Sequence, residues 1–400
     1  MSVRAVAPPS AAIRRSGFVL AVGAAIAMTA GASAPSPFYP VLQEQMGFSA
    51  ATLTGIFAIY VVALLATLLA VGSVSDHLGR RSVVSVGFVV LAASMIGFWH
   101  ADSVTELVLA RIVQGVASGL LMPALSAMVV DFESPDRPGA AATLNTICPL
   151  IGMASGPLLA GALLDRTSSA LGEVFGGLTA VYVLLAVVVW LVPETSARRD
   201  GLLRSLVPRV GVPATARRPF GQGTPALFAG WATGGFYLSL GAPLVSQELG
   251  GELHVQQGLV VTALAGAAAF SCFVARHQTS RRVTIGGTSA LAIGTALTIV
   301  ALVAGTYWGF VAASVVAGAG FGAAFLGIMR SITPAVAPHE RGELFAAVYV
   351  VGYLAFSGPA VVAGTVSPHV GLAATTYVYA ALVVLLACTA ALLRRFGSTD

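Results

Sequence analysis

In a chain of 400 residues, hydrophobic residues make up 57% and charged residues only 9%. A soluble globular protein carries roughly 25% charged residues because its surface faces water. The mean hydropathy of +0.89 therefore excludes a soluble multidomain protein, and we expect a lipid bilayer to surround most of this chain.

The basic residues are distributed unevenly along the chain. All 21 are Arg, and 19 of them fall in the termini and in alternate connections between uncharged runs, leaving only Arg111 and Arg166 elsewhere. Such an excess marks the cytoplasmic side of a membrane protein. We therefore expect an even number of spans in the cell inner (plasma) membrane, with both termini cytoplasmic and no nucleic-acid partner. The 19 residues are Arg4, Arg14, Arg15, Arg80, Arg81, Arg137, Arg198, Arg199, Arg204, Arg209, Arg217, Arg218, Arg276, Arg281, Arg282, Arg330, Arg341, Arg394 and Arg395.

Long apolar runs recur along the chain. A helix needs roughly 20 such residues to cross about 30 Å of hydrocarbon. The runs predict an all-α membrane protein with twelve transmembrane helices, near 17–40, 51–73, 82–101, 104–130, 139–164, 173–193, 224–247, 256–275, 283–304, 307–331, 342–366 and 371–393. Cys148, Cys272 and Cys388 fall inside the runs, which argues against a disulfide framework or a metal site. We expect no metal and no cofactor.

The connection after the second span carries a closely spaced set of glycines and charges, Gly72-Ser-Val-Ser-Asp76-His-Leu-Gly79-Arg80-Arg81. We expect Gly72 to let a neighbouring helix pack closely, and Gly79 to permit a sharp turn. Asp76 and Arg80 are four residues apart, so they can form an ion pair at the membrane boundary, where a lower dielectric constant strengthens it.

This segment resembles the loop signature G-x-x-x-D-x-x-G-R-[KR] of the major facilitator superfamily. In that family the motif latches the two halves of the protein in the outward-open state, and its Arg reaches an acidic residue that ends the fourth span. Asp131 occupies that place here. The resemblance therefore implies a conformational latch made of Gly72, Asp76, Gly79, Arg80, Arg81 and Asp131. The matching loop of the second half, 276–282, lacks both the Gly and the Asp.

The fourth span contains Arg111-Ile-Val-Gln114-Gly115. A permanently charged Arg inside a membrane helix must face protein or water. Arg111 and Gln114 match the pattern R-x-x-Q-G of the same family, and the resemblance implies a role in proton coupling or in shaping the cavity near the substrate. The alternative is a structural Arg that bonds backbone carbonyls of the first span.

The fifth span carries Gly152-Met-Ala-Ser-Gly156-Pro157-Leu-Leu-Ala160-Gly161. Gly and Pro interrupt regular helix bonding and leave a flat face for close packing. The segment resembles the family's antiporter motif G-x-x-x-G-P-x-x-G-G, with Ala160 in place of one Gly. Because the family's drug–proton antiporters carry that motif, the resemblance implies export. General helix packing is the alternative reading of the glycines.

One long polar connection divides the chain. It predicts an N-terminal six-helix half over 1–193, a cytoplasmic linker over 194–223 and a C-terminal six-helix half over 224–400.

The two halves also resemble each other in sequence. Ser155-Gly-Pro recurs as Ser357-Gly-Pro 202 positions later, and Arg80-Arg81 recurs as Arg281-Arg282 after 201 positions. Parallel six-helix repeats form one known transporter architecture. We therefore expect two pseudo-symmetric halves around a central cavity, as in the major facilitator fold.

Amphipathic side chains within the spans are candidates to line that cavity, because such groups suit mixed ligands. They are Tyr60, Asn145, Phe236, Tyr237, Tyr349 and Tyr353.

Carboxylates are missing from the first two spans: no Asp or Glu lies in 16–43 or 45–75. Many drug–proton antiporters carry a titrating carboxylate there. If protons drive transport, we expect the carrier to be Glu106, Asp131 or Glu343, with the arginine of the fourth span modulating it. The lack of a central negative charge favours neutral or weakly charged apolar substrates.

The remaining patterns restrict the class of function. An ATP-binding loop G-x-x-x-x-G-K-[ST] would need a Lys, and the chain has none. The six His are scattered, so we do not expect an enzyme. The sequence predicts a monomeric secondary active transporter that exports small, fairly apolar organic molecules, as in drug or metabolite efflux, by proton antiport with alternating access. An uptake permease for a small metabolite on the same fold is the alternative.

Overall fold

The computed structural model describes residues 10–197 and 200–396, which form fifteen α-helices joined by turns and contain no strand. The predicted all-α fold is thus confirmed. Three of the arginines that underlie the predicted orientation, Arg4, Arg198 and Arg199, lie outside the described residues.

The first half of the chain makes six spans. Its helices are α1 (Ala11–Ser33), α2 (Tyr39–Met46), α3 (Ala50–Val71), α4 (Val74–Leu78), α5 (Arg80–Trp99), α6 (Val104–Asp131), α7 (Ala140–Leu164) and α8 (Ala170–Val188). The first span is broken between α1 and α2 by a 3-10 turn over Ser36–Phe38. Pro35, Pro37 and Pro40 surround this break, and the missing N–H of each prevents a continuous helix.

The second half makes another six spans, after a short helix in the linker. Its helices are α9 (Leu202–Ser205), α10 (Arg217–Glu248), α11 (His254–Val274), α12 (Ser280–Val303), α13 (Tyr307–Ile332), α14 (Arg341–Val370) and α15 (Leu372–Phe396). α10 begins at Arg217, so its first two turns come from the predicted linker 194–223.

α10 differs from the other spans in composition. Within the described ranges, eleven segments are long and apolar enough to cross a bilayer, with α1 and α2 counted as one, and α10 is not among them. Its 32 residues nevertheless extend about 48 Å at 1.5 Å per residue. Nearly all residues from Ala226 to Val245 are buried. Protein rather than lipid surrounds α10, so it tolerates a lower hydropathy as the twelfth span.

The outer surface of the bundle is apolar. Leu159, Phe270 and Val303 are each more than 60% exposed, and many other large apolar side chains on the helices are exposed as well. In a soluble protein such patches would promote aggregation. Here they are suited to contact lipid, as expected of a multi-pass membrane protein.

The helix ends define two faces of the molecule. The arginine-rich face carries the helix ends at Arg80, Arg217, Arg281, Arg341 and Arg395. The arginine-poor face carries the ends at Met46, Val104, Leu164, Glu248 and His254. Neighbouring ends on each face are in contact; on the arginine-rich face, for example, Arg281 donates to the backbone carbonyl of Arg395 at 3.1 Å.

The two halves meet along two helix pairs, α7 with α11 and α3 with α14. The hydroxyl of Thr262 donates to the Ala154 carbonyl at 2.7 Å in the middle of the first pair. Nearer the arginine-poor face, Ser36 Oγ donates to the Leu238 carbonyl at 3.0 Å. A Cβ atom on Gly364 would overlap Thr54 of the opposite half. The halves are therefore joined tightly toward the arginine-poor face.

Candidate functional site

The predicted latch residues come together at the arginine-rich face. Gly79 has φ of 99°, which ends α4 and lets Arg80 start α5. Arg80 Nη1 lies 2.5 Å from Asp76 Oδ1, and Arg80 Nε lies 3.3 Å from Asp131 Oδ2. Arg80 Nη1 also donates to Ser75 Oγ at 2.6 Å. One guanidinium thus joins the loop after the second span to the end of the fourth.

Gly72 does not have the environment expected for it. The nearest atom to a Cβ built on Gly72 is the carbonyl oxygen of Leu68, one turn earlier in the same chain segment. The three atoms nearest to that Cβ, out to 3.7 Å, all belong to Leu68. Gly72 therefore permits the tight helix end before α4, and close packing of another helix does not explain it.

The end of the sixth span completes this network and was not among the predicted site residues. Glu194 accepts the backbone N–H groups of Arg80 at 2.8 Å and of Arg81 at 3.2 Å, so its carboxylate caps α5. Thr195 Oγ1 donates to Asp131 Oδ2 at 2.6 Å. The sequence shows only an acidic residue directly after a span; nothing in it indicates that Glu194 lies next to the start of α5.

The latch contacts join parts of the N-terminal half to one another and to Glu194 and Thr195, the first residues of the predicted linker. Farther along the linker, the Ser205 carbonyl accepts a bond from Ser73 Oγ at 3.3 Å. In this structure the network holds the arginine-rich ends of α3, α5, α6 and α8 in one rigid arrangement.

Arg111 lies in the interior of the N-terminal half and is only 2% exposed. Its Nε donates to Tyr39 Oη at 2.9 Å, and its Nη1 donates to the Ala32 carbonyl at 3.2 Å and to Gln114 Oε1 at 2.5 Å. Gln114 Nε2 in turn donates to the Gly31 carbonyl at 3.0 Å. Arg111 and Gln114 therefore fasten α6 to the break between α1 and α2.

Aromatic rings complete the surroundings of Arg111. Its guanidinium carbon lies 5.1 Å from the ring centroid of Phe98 and 5.5 Å from those of Tyr39 and Tyr60. Ring faces attract a cation electrostatically, which offsets part of the cost of burying the charge. The cavity candidate Tyr60 thus belongs to the Arg111 site. Tyr39 was not predicted, although it follows the proline-rich end of the first span.

The glycines of the fifth span lie at close helix contacts. Cβ atoms on Gly152 and Gly156 would overlap the backbone of α1 at Ile26 and Ala30. A Cβ atom on Gly161 would overlap the carbonyl of His254 in the opposite half. One motif therefore packs α7 against α1 on one side and against α11 on the other.

The residue on α11 that faces Pro157 is a glycine, as Gly161 is on α7. A Cβ atom on Gly258 would overlap the Pro157 carbonyl. Small residues on both helices let their backbones approach closely.

Two cavity candidates lie inside the C-terminal half. Phe236 and Tyr237 line a cavity of about 20 Å³ that lies among α10, α12, α13 and α15. Thr295 of α12 and Tyr379 of α15 also line it. Tyr237 Oη lies 2.7 Å from Ser314 Oγ. A space of this size holds about one water molecule, so the structure does not place these two residues at an organic substrate's site.

Tyr349 and Tyr353 lie between the halves. Their rings are stacked 6.1 Å apart on α14. Tyr353 Oη lies 3.5 Å from the sulfur of Met122, on α6 of the opposite half. The remaining candidate, Asn145, donates through Nδ2 to the Ser126 carbonyl at 3.0 Å, which joins α7 to α6 within the N-terminal half.

The acidic coupling candidates are placed near the two faces. Glu106 Oε2 accepts the backbone N–H groups of Asp102 at 2.7 Å and of Ser103 at 3.1 Å, while Ser103 Oγ accepts the N–H of Glu106. This capping box accounts for an acid at the start of α6. Glu343 lies at the start of α14 beside the linker, where its carbonyl accepts the N–H of Gly211 at 3.4 Å.

Comparison with known proteins gives the same family as the motifs. The model of the Major Facilitator Superfamily matches residues 20–357. A bacterial homologue of the human lysosomal transporter Spinster, solved in an inward-facing and unoccupied conformation, superposes with a TM-score of 0.73 over 97% of this chain and 98% of its own, at 14% identity. That likeness shows the fold, in agreement with the predicted two-half architecture.

Curated relatives match shorter segments. The multidrug efflux pump LfrA of Mycolicibacterium smegmatis is 36% identical over 166 residues, which cover 40% of this chain and 32% of that protein. The cephamycin export protein CmcT of Amycolatopsis lactamdurans is 31% identical over 130 residues, covering 32% and 27%. The match spans about a third of each relative's length. With the family match over most of its length, the chain belongs to the major facilitator superfamily of membrane transporters.

Proposed function

We propose that this transporter exports small, fairly apolar organic molecules by proton antiport with alternating access. In this proposal it acts as a monomer in the inner membrane, with the arginine-rich face and both termini in the cytoplasm. The names of two relatives, an efflux pump and an export protein, support the direction of transport. The excess of Arg on one face supports the orientation.

The observation that carries the proposal is the packing of α7. Gly152 and Gly156 fit it against α1 of its own half, while Gly161 and Pro157 fit it against α11 of the other half. A helix with a flat face on each side can rotate relative to its two neighbours, because no large side chains interdigitate with them there. This arrangement suits a rocking motion of one half against the other.

The buried polar centre at Arg111 supports a role in coupling. Its hydrogen-bond partners described above are a phenol, an amide and a backbone carbonyl, and none of them carries a negative charge. A cation held this way can exchange partners when a substrate or an acidic group approaches. Of the three acidic candidates, Asp131 has the most direct link to a motif residue, through Arg80.

Transport into everted membrane vesicles tests this proposal. An acid-inside pH gradient should drive a neutral dye such as Nile red into vesicles from expressing cells, and collapse of the gradient should release it. Vesicles without the protein give the passive background. Accumulation in right-side-out vesicles instead would indicate the uptake permease, and equal signals in protein-containing and protein-free vesicles would refute proton-driven export.

A further inference from the structure

An aromatic cluster lies where α10, α13 and α14 face the opposite half. The ring of Trp231 lies 4.9 Å from Tyr353, 5.9 Å from Phe356 and 6.2 Å from Phe325, measured between centroids. Together with Tyr349, these residues form what we call the Trp231 cluster. Gly352 makes room for the indole, because a Cβ atom there would lie 2.8 Å from it.

The cluster reaches across the interface between the halves. Phe57 on α3 lies 5.1 Å from Phe356, centroid to centroid, and Met122 on α6 contacts Tyr353. Trp231, Tyr349 and Phe356 remain partly exposed, and Phe356 and Tyr353 contact side chains of the opposite half. The cluster therefore borders the space between the halves.

One polar atom in the cluster lacks a partner. Trp231 Nε1 is buried and has no hydrogen-bond partner among the described residues. An indole N–H can only donate, and a buried donor without an acceptor is unfavourable. The hydroxyl of Tyr353 is directed to the Met122 sulfur. Trp231 Nε1 is thus the buried donor of the cluster that needs an acceptor.

The composition of the cluster favours a neutral ligand over a cation. Trp231 meets Tyr353 at 77°, Phe356 at 75° and Phe325 at 63°, so the contacts are edge-to-face. Such contacts stabilise the rings against one another, and a cation here would find no carboxylate in the cluster to pair with. None of the five residues carries a charge.

We propose that the Trp231 cluster is a binding site for neutral aromatic molecules that carry a hydrogen-bond acceptor, such as a carbonyl oxygen, which Trp231 Nε1 recognises. The aromatic rings supply contact area, and the buried Trp231 N–H selects among apolar ligands of equal size. This inference rests on the proposed function, since it names the substrate class of the same transporter.

Two matched compounds test the donor. Fluorenone and fluorene have the same three-ring skeleton and differ at a carbonyl group. Binding of each radiolabelled compound to the purified full-length protein in detergent should favour fluorenone by about three- to tenfold, the gain from one neutral hydrogen bond. Trp231→Phe should reduce that ratio to about one and leave fluorene binding unchanged. Trp308→Phe, which alters an exposed indole, should leave the ratio intact.

Indole signals give a second measurement that does not depend on the folding of the Trp231 variant. The chain has four Trp, so protein labelled with ¹⁵N-tryptophan gives four indole N–H resonances, which single substitutions of the other three assign. Fluorenone should shift the Trp231 resonance downfield, and fluorene should not.

Three results would overturn the inference: equal binding of both compounds to the wild type, an unchanged ratio in Trp231→Phe, or tighter Trp231-dependent binding of the cation tetraphenylphosphonium. Because binding is measured without a gradient, loss of vesicle transport with intact fluorenone preference would reject only the export mechanism.

Discussion

Asp165 and His254 join the two halves at the arginine-poor face. The Asp165 carboxylate lies 2.8 Å from Nδ1 of His254 and accepts the backbone N–H groups of His254 and Val255, each at 2.8 Å. Asp165 follows α7 in one half and His254 opens α11 in the other, so a side chain of one half caps a helix of its partner. Separation of this face must break all three bonds.

Loss of this carboxylate should loosen the arginine-poor face. Asp165→Asn removes the negative charge and leaves one carbonyl oxygen to accept bonds that two oxygens accept now. Spin labels can be placed at Ser168 and Val303, which are both exposed. Double electron–electron resonance should then show a longer mean distance between the labels and a broader distance distribution. Glu173→Gln, a neighbouring acid that bonds only Thr167 and Ser169 in the contacts described for it, is the control. An unchanged distribution in the Asp165 variant would remove this pair from the closure of the face.

The same label pair should show an acid transition. Burial alone would raise the pKa of Asp165, but the backbone N–H groups of Val255 and His254 and the His254 imidazole together hold the pKa below its ordinary value of 3.8. The joined state therefore gains from ionised Asp165 above about pH 4 and loses that gain as pH falls through the lowered pKa. We expect the distance distribution to widen as pH falls below about 4. Asp165→Asn should lack this acid transition. A transition of equal size in the variant would mean that another group causes it.

Neutralising Asp131 should slow turnover more than it weakens substrate binding. Asp131 holds Arg80 Nε at 3.3 Å and Thr195 Oγ1 at 2.6 Å, at the arginine-rich face. Partly exposed ion pairs contribute up to about 1 kcal/mol, which corresponds to about a fivefold change in rate. Initial rates of Nile red transport in Asp131→Asn vesicles should fall by that factor at an unchanged KM. Asp136→Asn, an exposed acid on the adjoining loop, should match the wild type, and a raised KM with normal maximal rate would contradict the latch.

Replacement of Arg111 should abolish transport without preventing insertion. Arg111→Ala removes the donors that hold Tyr39, Ala32 and Gln114 together, and we expect transport to fall at least tenfold. Arg111→Lys should recover little, because a single ammonium group cannot reproduce the planar fork of donors. Size-exclusion profiles of the purified variants check folding, with Arg137→Ala in a loop as the control. Full transport by Arg111→Ala would exclude this residue from the mechanism.

Adding a methyl group at the α1–α7 contact should destabilise the N-terminal half. Gly156→Ala places a Cβ atom into the Ala30 carbonyl region, and such overpacking costs about 1–3 kcal/mol. Thermal unfolding in detergent should show a lower Tm. Gly177→Ala is a matched control on the next helix, because a Cβ there meets nothing within 4 Å and alanine favours helix. Equal Tm values for both variants would mean that α7 and α1 can move apart without cost.

The sequence was most informative where the determining interaction is local. Apolar runs of membrane length gave the spans, because each helix satisfies its own backbone in lipid. Asp76 and Arg80 are one helical turn apart, so their pairing needed little knowledge of tertiary structure. The four residues Ser103-Val-Thr-Glu106 form a capping box in the structure, which is another interaction that is local in sequence.

Contacts that depend on how each helix is rotated about its own axis could not be predicted from the sequence. α10 is rich in small and apolar residues on every side, so its sequence does not distinguish the face that carries Trp231 from the face that carries Phe236 and Tyr237. Tyr39 reaches Arg111 only because the first span breaks at Ser36–Phe38. Glu194 reaches the start of α5 across 114 positions of sequence, which no local pattern encodes.

The low hydropathy of α10 has a consequence for biogenesis. A segment with many small and polar residues partitions weakly into lipid on its own. Its stabilising neighbours come later in the chain: Phe356 of α14 packs against Gly235, and Tyr379 of α15 donates to the Ala232 carbonyl at 2.7 Å. When α10 leaves the ribosome, neither helix has been made. We therefore expect α10 to stay with the translocation machinery until the last spans are synthesised, so that the C-terminal half integrates into the bilayer as a group rather than helix by helix.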